Sequence, residues 1–151
     1  MNVTVVALGK IGLPLAVQFA SKGHRVIGAD INPETVALVN EGVEPFPGEA
    51  HLGEKLADAV GAGLLSATTD TAAAVAQSDA VVLVVPLFVD AAGVPDFAPI
   101  DAATRDVARG LQQRFSEDQG VAQEITLAAW RARPLIDRMS DALHRPWESY
   151  F

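Results

Sequence analysis

The chain has 151 residues, half of them apolar and a fifth charged, with a net charge of −8. That is long enough for one domain with its own core, and the profile is globular rather than disordered. The acidic balance excludes a nucleic-acid partner, which requires a basic face, and the absence of cysteine excludes disulfides, thiolate metal sites and a cysteine nucleophile.

The apolar stretch from Ala80 to Leu87 falls well short of the ~20 residues that span a bilayer, and Asp90 follows closely. Asn2 and Thr4 interrupt the first apolar run, which rules out a signal peptide there. The expectation is a cytoplasmic protein with no membrane partner.

Val3 to Ala7 is a mostly β-branched run ending at a glycine turn, the pattern of a buried strand. From Ile11 to Ser21, apolar residues at 11, 15, 16, 19 and 20 predict a helix, with Pro14 in its first turn and Gly23 behind its end. Arg25 to Ala29 reads as a second strand closed by Asp30, and Pro33 opens a helix through Val39. Glu44 to Gly48 is a Pro-rich loop, followed by a helix from Gly53 to Val60. Leu64 to Thr68 reads as an edge strand because polar residues interrupt it. Asp70 or Thr71 caps a short helix ending at Ala76. Ala80 to Val85 is wholly apolar, which predicts a central parallel strand, and Pro86 ends it. A loop leads to Pro99, and a helix follows from Asp101 to about Leu111.

Strands alternating with helices call for an α/β, Rossmann-type parallel sheet of about four strands, half of a doubly wound fold. Composition then shifts. Residues 1–111 carry six basic against thirteen acidic side chains, whereas residues 112–151 carry five against six and hold both tryptophans. The expected division is a dinucleotide-binding domain over 1–111 and a helical tail over 112–151. In the tail, Thr126 caps a helix carrying Leu127 and Trp130, and Leu135, Ile136, Met139 and Leu143 form a second apolar stripe. Such a tail packs on the sheet or on another subunit, so self-association through it is expected. His24, His51 and His144 lack metal-ligand spacing, and no serine has a nucleophile pattern. No catalytic or metal residue is assigned.

The strongest signal is Ala7-Leu8-Gly9-Lys10-Ile11-Gly12 between a strand and a helix. In the G-x-G-x-x-G dinucleotide fingerprint the second glycine lets the backbone approach the pyrophosphate and the third lets helix pack on strand. Gly9 and Gly12 fill those places, and Ala7 stands where the first glycine belongs. Alanine is tolerated there only with a negative φ and room for its methyl group. The N–H groups of Lys10, Ile11 and Gly12 are expected to face the pyrophosphate at the positive end of the helix dipole. Asp30 lies 18 residues past Gly12, near the ~20 at which an acid accepts the ribose hydroxyls. Ile31 and Asn32 follow it, with no arginine for a 2′-phosphate, so NAD is expected rather than NADP. Taken alone, the turn and the acid would also serve FAD or S-adenosylmethionine.

Gly9-Lys10-Ile11-Gly12-Leu13-Pro14-Leu15-Ala16 resembles the G-Y-V-G-L-P-L-A turn of the UDP-glucose/GDP-mannose dehydrogenase family, the nucleotide-sugar 6-dehydrogenases. Val26 to Asn32 resembles that family's second strand, Glu49 its glutamate before the third helix, and Leu64 to Asp70 its g-x-L-x-x-T-T-D segment. Val84-Val85-Pro86 and Asp90 to Phe97 resemble the loop after its fourth strand. The resemblance covers Met1 to about Leu111. It completes an expected cofactor set of Gly9, Lys10, Ile11, Gly12, Asp30, Asn32, Val85 and Pro86. The family has Thr-Pro where this chain has Leu87-Phe88. The resemblance also implies a substrate part whose glutamate, lysine, asparagine and nucleophilic cysteine carry the oxidations, and no segment resembling it follows Leu111. The expected function is the NAD-binding part of a UDP-sugar 6-dehydrogenase, inactive unless another domain or chain supplies the sugar site. The alternative is an NAD-sensing or interaction module without turnover.

Overall fold

The β-branched run at the N-terminus forms β1 (Asn2–Val6), the strand on which the sheet is built. Turns and helices then alternate with strands: α1 (Gly12–Ser21), β2 (Arg25–Ala29), α2 (Pro33–Asn40), α3 (Leu52–Gly61), β3 (Leu65–Thr68), α4 (Thr71–Ala76) and β4 (Ala80–Leu83). The computed structural model describes residues 1–46, 48–132 and 134. The expected stripe from Leu135 to Leu143, with Trp147, lies outside them.

The four strands form one parallel sheet in the order β3-β2-β1-β4. Val5 pairs with Gly28 on one side and Val82 on the other. All four strands therefore end on the same side of the sheet, beside the turns that follow β1 and β2. This is the expected Rossmann-type half of a doubly wound sheet, and each helix boundary through α4 falls within a residue or two of its sequence reading.

Burial explains why these segments hold together. Val3, Val5 and Val26 from the sheet meet Leu13, Ala16, Val17 and Ala20 of α1 and Leu52 and Leu56 of α3, all buried. Fully burying one such side chain contributes about 1.5–3 kcal/mol, so this layer, rather than helix propensity, holds α1 and α3 on the sheet. Asn32 caps α2 by accepting from the Glu34 N–H at 2.9 Å, and Asp70 caps α4 by accepting from the Ala73 N–H at 3.0 Å.

Three features depart from expectation. The apolar strand β4 lies at an edge, not in the centre, because among the described residues it pairs only with β1. Its residues are only partly buried, Val82 packing against the core while Leu83 is exposed, and an apolar run carries no information about lateral neighbours. The loop after Pro86 contains a short hairpin of β5 (Phe88–Val89) and β6 (Pro95–Asp96), turned by Asp90, which accepts from the Ala92 and Val94 N–H groups. The last long helix, α5 (Ala98–Val121), runs ten residues past Leu111 without a break at the composition shift. It approaches α4 closely at Gly110, where an added Cβ would lie 2.5 Å from the Ala72 carbonyl oxygen.

The chain divides into two compact units, Met1–Glu117 and Asp118–Phe151. The division falls inside α5. In the second unit, α6 (Leu127–Arg131) is capped as expected by Thr126, whose hydroxyl accepts from the Ala129 N–H at 3.1 Å.

Candidate functional site

The turn between β1 and α1 brings most of the expected residues together, and its geometry rests on backbone contacts. The Ala7 N–H donates to the Ala29 carbonyl at 2.7 Å, which ties the end of β1 to the end of β2. The chain then reverses through Ala7 with φ of 73°. The expected condition of a negative φ at this residue is not met. Alanine occupies the left-handed region here, at a cost of about 1–2 kcal/mol.

Gly12 is fixed by sterics. A Cβ on it would lie 1.8 Å from the Ala7 carbonyl oxygen and 2.9 Å from Val84 Cγ2. The end of β4 therefore closes against the same turn. Gly9 is different. A Cβ there would meet nothing within 4 Å, and its φ is not positive. The fold makes no demand for glycine at this position, so its lack of a side chain opens space over the turn.

That space lies at the uncapped start of α1. Its N-cap residue Ile11 makes no side-chain cap, and the first turn has no acid, whereas α2, α4 and α6 each have a side-chain cap. The N–H groups of Lys10, Ile11 and Gly12 have no backbone acceptor among the described residues. Unpaired donors at the positive end of a ten-residue helix suit an anion. The pyrophosphate of a dinucleotide fits this arrangement, because Gly9 leaves the approach clear.

Asp30 sits at the end of β2, partly buried. Its Oδ2 accepts from the Leu8 N–H at 2.7 Å and its Oδ1 from the Asn32 N–H at 2.9 Å. Both oxygens are thus held by backbone donors, and each keeps lone-pair capacity for a hydroxyl. Spacing alone revealed the acid but not its grip on Leu8. The Leu8 side chain is fully buried and packs over Gly28, where an added Cβ would lie 2.6 Å away. The turn, the acid and β2 therefore form one rigid unit.

Asn32 is exposed, and its carboxamide is committed to capping α2. Val85 is half-buried and Pro86 exposed, just past the end of β4 on the side of the sheet where the glycine turn lies. A cavity of about 190 Å³ opens beside the turn, lined by Gly9, Lys10, Leu13, Pro14, Phe46 and Glu49 among others. Phe46 was not foreseen, because loop residues carry no periodicity that places them in space. No cluster of His, Asp or Glu suited to a metal occurs among the described residues, and no described helix is long and apolar enough to cross a membrane.

Residues 1–128 match the NAD binding domain of the UDP-glucose/GDP-mannose dehydrogenase family. The UDP-N-acetyl-D-mannosamine dehydrogenase of Salmonella typhimurium is 39% identical over 112 residues, covering 74% of this chain and 26% of that protein. The NDP-N-acetyl-D-galactosaminuronic acid dehydrogenase of Ralstonia nicotianae is 40% identical over 117 residues, covering 74% and 25%. Among solved structures, a UDP-glucose dehydrogenase from Pyrobaculum islandicum superposes with a TM-score of 0.70 at 35% identity, over 75% of this chain and 26% of that one. A GDP-mannose dehydrogenase from Pseudomonas aeruginosa gives 0.72 at 29% identity, over 76% and 26%. The chain thus spans about a quarter of the length of these relatives. It belongs to the UDP-glucose/GDP-mannose dehydrogenase family, and the part of that family it represents is the NAD-binding domain.

Proposed function

We propose that this chain is the cofactor-holding module of a UDP-sugar 6-dehydrogenase and that it does not turn over sugar by itself. The observation that carries this reading is the glycine turn: donors left unpaired at α1 beside Gly9, whose missing side chain the fold does not require. In this role the N–H groups of Lys10, Ile11 and Gly12 hold the pyrophosphate. Asp30, fixed by two backbone amides, receives the adenosine ribose hydroxyls. Its charge repels a 2′-phosphate, and no cation follows it at Ile31 or Asn32. Val85 and Pro86 border the cofactor where β4 ends. When bound, NAD supplies the hydride acceptor, and the chain's own residues bind and orient it. The sugar site and the nucleophile implied by the resemblance belong to residues outside these 151, which contain no cysteine.

Calorimetric titration with NAD, NADP and UDP-glucose tests the proposal, with Gly9→Ala as the diagnostic variant. The expected result is saturable NAD binding, no comparable NADP binding and no sugar oxidation. Gly9→Ala should lose at least tenfold in NAD affinity while melting at the wild-type temperature, because its methyl group blocks only the ligand. Folded wild-type protein that shows no NAD binding would sink the proposal.

A further inference from the structure

We infer that the groove between α1 and α3 is a second anion site, apart from the cofactor turn, and that its ligand is a small sugar phosphate. The chain is strongly acidic, yet all three of its lysines line two adjoining cavities that share Glu49 and Leu52. Lys10 borders the cavity beside the glycine turn. Lys22 and Lys55 border the other, of about 360 Å³, together with Gln18 and Ser21. That volume falls within the ~300–1,000 Å³ of small-molecule sites.

Two separate elements bring the cations to this groove, since Lys22 is the C-cap of α1 and Lys55 lies near the start of α3. Among the described residues neither ammonium has an ion pair or a hydrogen bond. Like charges beside one cavity repel each other, and a shared anion removes that repulsion. An ammonium binds phosphate as a point charge with three donors. The rest of the lining selects the remainder of the ligand. Among the described residues no aromatic ring borders this cavity, so a nucleobase finds no stacking partner. The Glu49 carboxylate, the Ser21 hydroxyl and the Gln18 carboxamide instead suit hydroxyl groups. Glu49 repels a bare phosphate but accepts from a sugar. A sugar phosphate therefore answers both signs of charge, whereas free phosphate answers one. Neither Gly9, Gly12 nor Asp30 borders this cavity, and the inference does not depend on cofactor binding.

The test is calorimetric titration of the full chain with glucose 6-phosphate, inorganic phosphate and glucose. Glucose 6-phosphate should bind saturably and more tightly than either other probe, and added salt should weaken it. Lys22→Gln and Lys55→Gln should each lower its affinity by about fivefold, the scale of one exposed charge pair. Both variants should melt at the wild-type temperature, because both residues are exposed. Glu49→Ala should bring glucose 6-phosphate and phosphate to equal affinity. Saturating NAD should leave glucose 6-phosphate bound; displacement by NAD would put the phosphate on the glycine turn and overturn the inference. No binding of glucose 6-phosphate at millimolar concentration overturns it as well. So does binding that both lysine variants retain in full. Phosphate that binds wild type as tightly as the sugar ester does would also overturn it, leaving an adventitious ion only.

Discussion

Ala7 is the residue at which sequence logic and backbone geometry disagree most sharply. Its φ of 73° places a Cβ where the left-handed turn disfavours one by about 1–2 kcal/mol. Replacing it with glycine removes that strain but gives the unfolded chain more freedom, which costs about 0.4–1 kcal/mol. The strain outweighs the added freedom, so Ala7→Gly should stabilise the fold by about 0.5–1 kcal/mol. Denaturant midpoints measure this, and a midpoint equal to or below wild type would show the strain to be absent. Gly12→Ala should have the opposite effect. Its methyl group would meet a backbone oxygen at 1.8 Å, which no side-chain rotation relieves, so a loss of about 3 kcal/mol or more is expected. Gly12 was legible because only glycine meets this demand, and Gly9 through its place in the dinucleotide fingerprint. The backbone angle at residue 7 was not, since alanine itself gives no sign of a positive φ.

At the scale of elements, the helices show which ends the fold finishes for itself. Asp70 is exposed and its visible duty is the cap on α4; Asp70→Ala should cost about 1 kcal/mol, read as a lowered melting temperature. The start of α1 invites the reverse experiment. Ile11 is 72% exposed at an uncapped, acid-free N-terminus. Ile11→Asp should stabilise the helix by about 0.3–1 kcal/mol through the dipole. It should also weaken NAD binding, because the new carboxylate competes for the same donors. Melting and titration of one variant give both values, and unchanged affinity would place the pyrophosphate elsewhere. Strand β2 was readable to the residue because Gly23 and Asp30 bracket it. The place of β4 in the sheet was not readable, because an apolar run does not specify which strands lie beside it. The extent of α5 was missed because its stretch past Gly110, exposed throughout, lacks the apolar period that marks a helix.

For the molecule as a whole, ligand binding and folding are linked. A ligand that binds only the native state adds about 2.7 kcal/mol at a hundred times its dissociation constant. NAD should therefore raise the melting temperature by several degrees, and NADP at equal concentration should not; equal shifts would remove the discriminating role from Asp30. That carboxylate also links specificity to architecture. It grips the Leu8 and Asn32 amides, so it braces the turn as well as facing the proposed ribose position. An engineer who neutralises it to admit a phosphorylated cofactor would loosen the cradle in the same step. Cofactor preference in this domain can then change only along routes that first rebuild the brace, which narrows the evolutionary paths open to it.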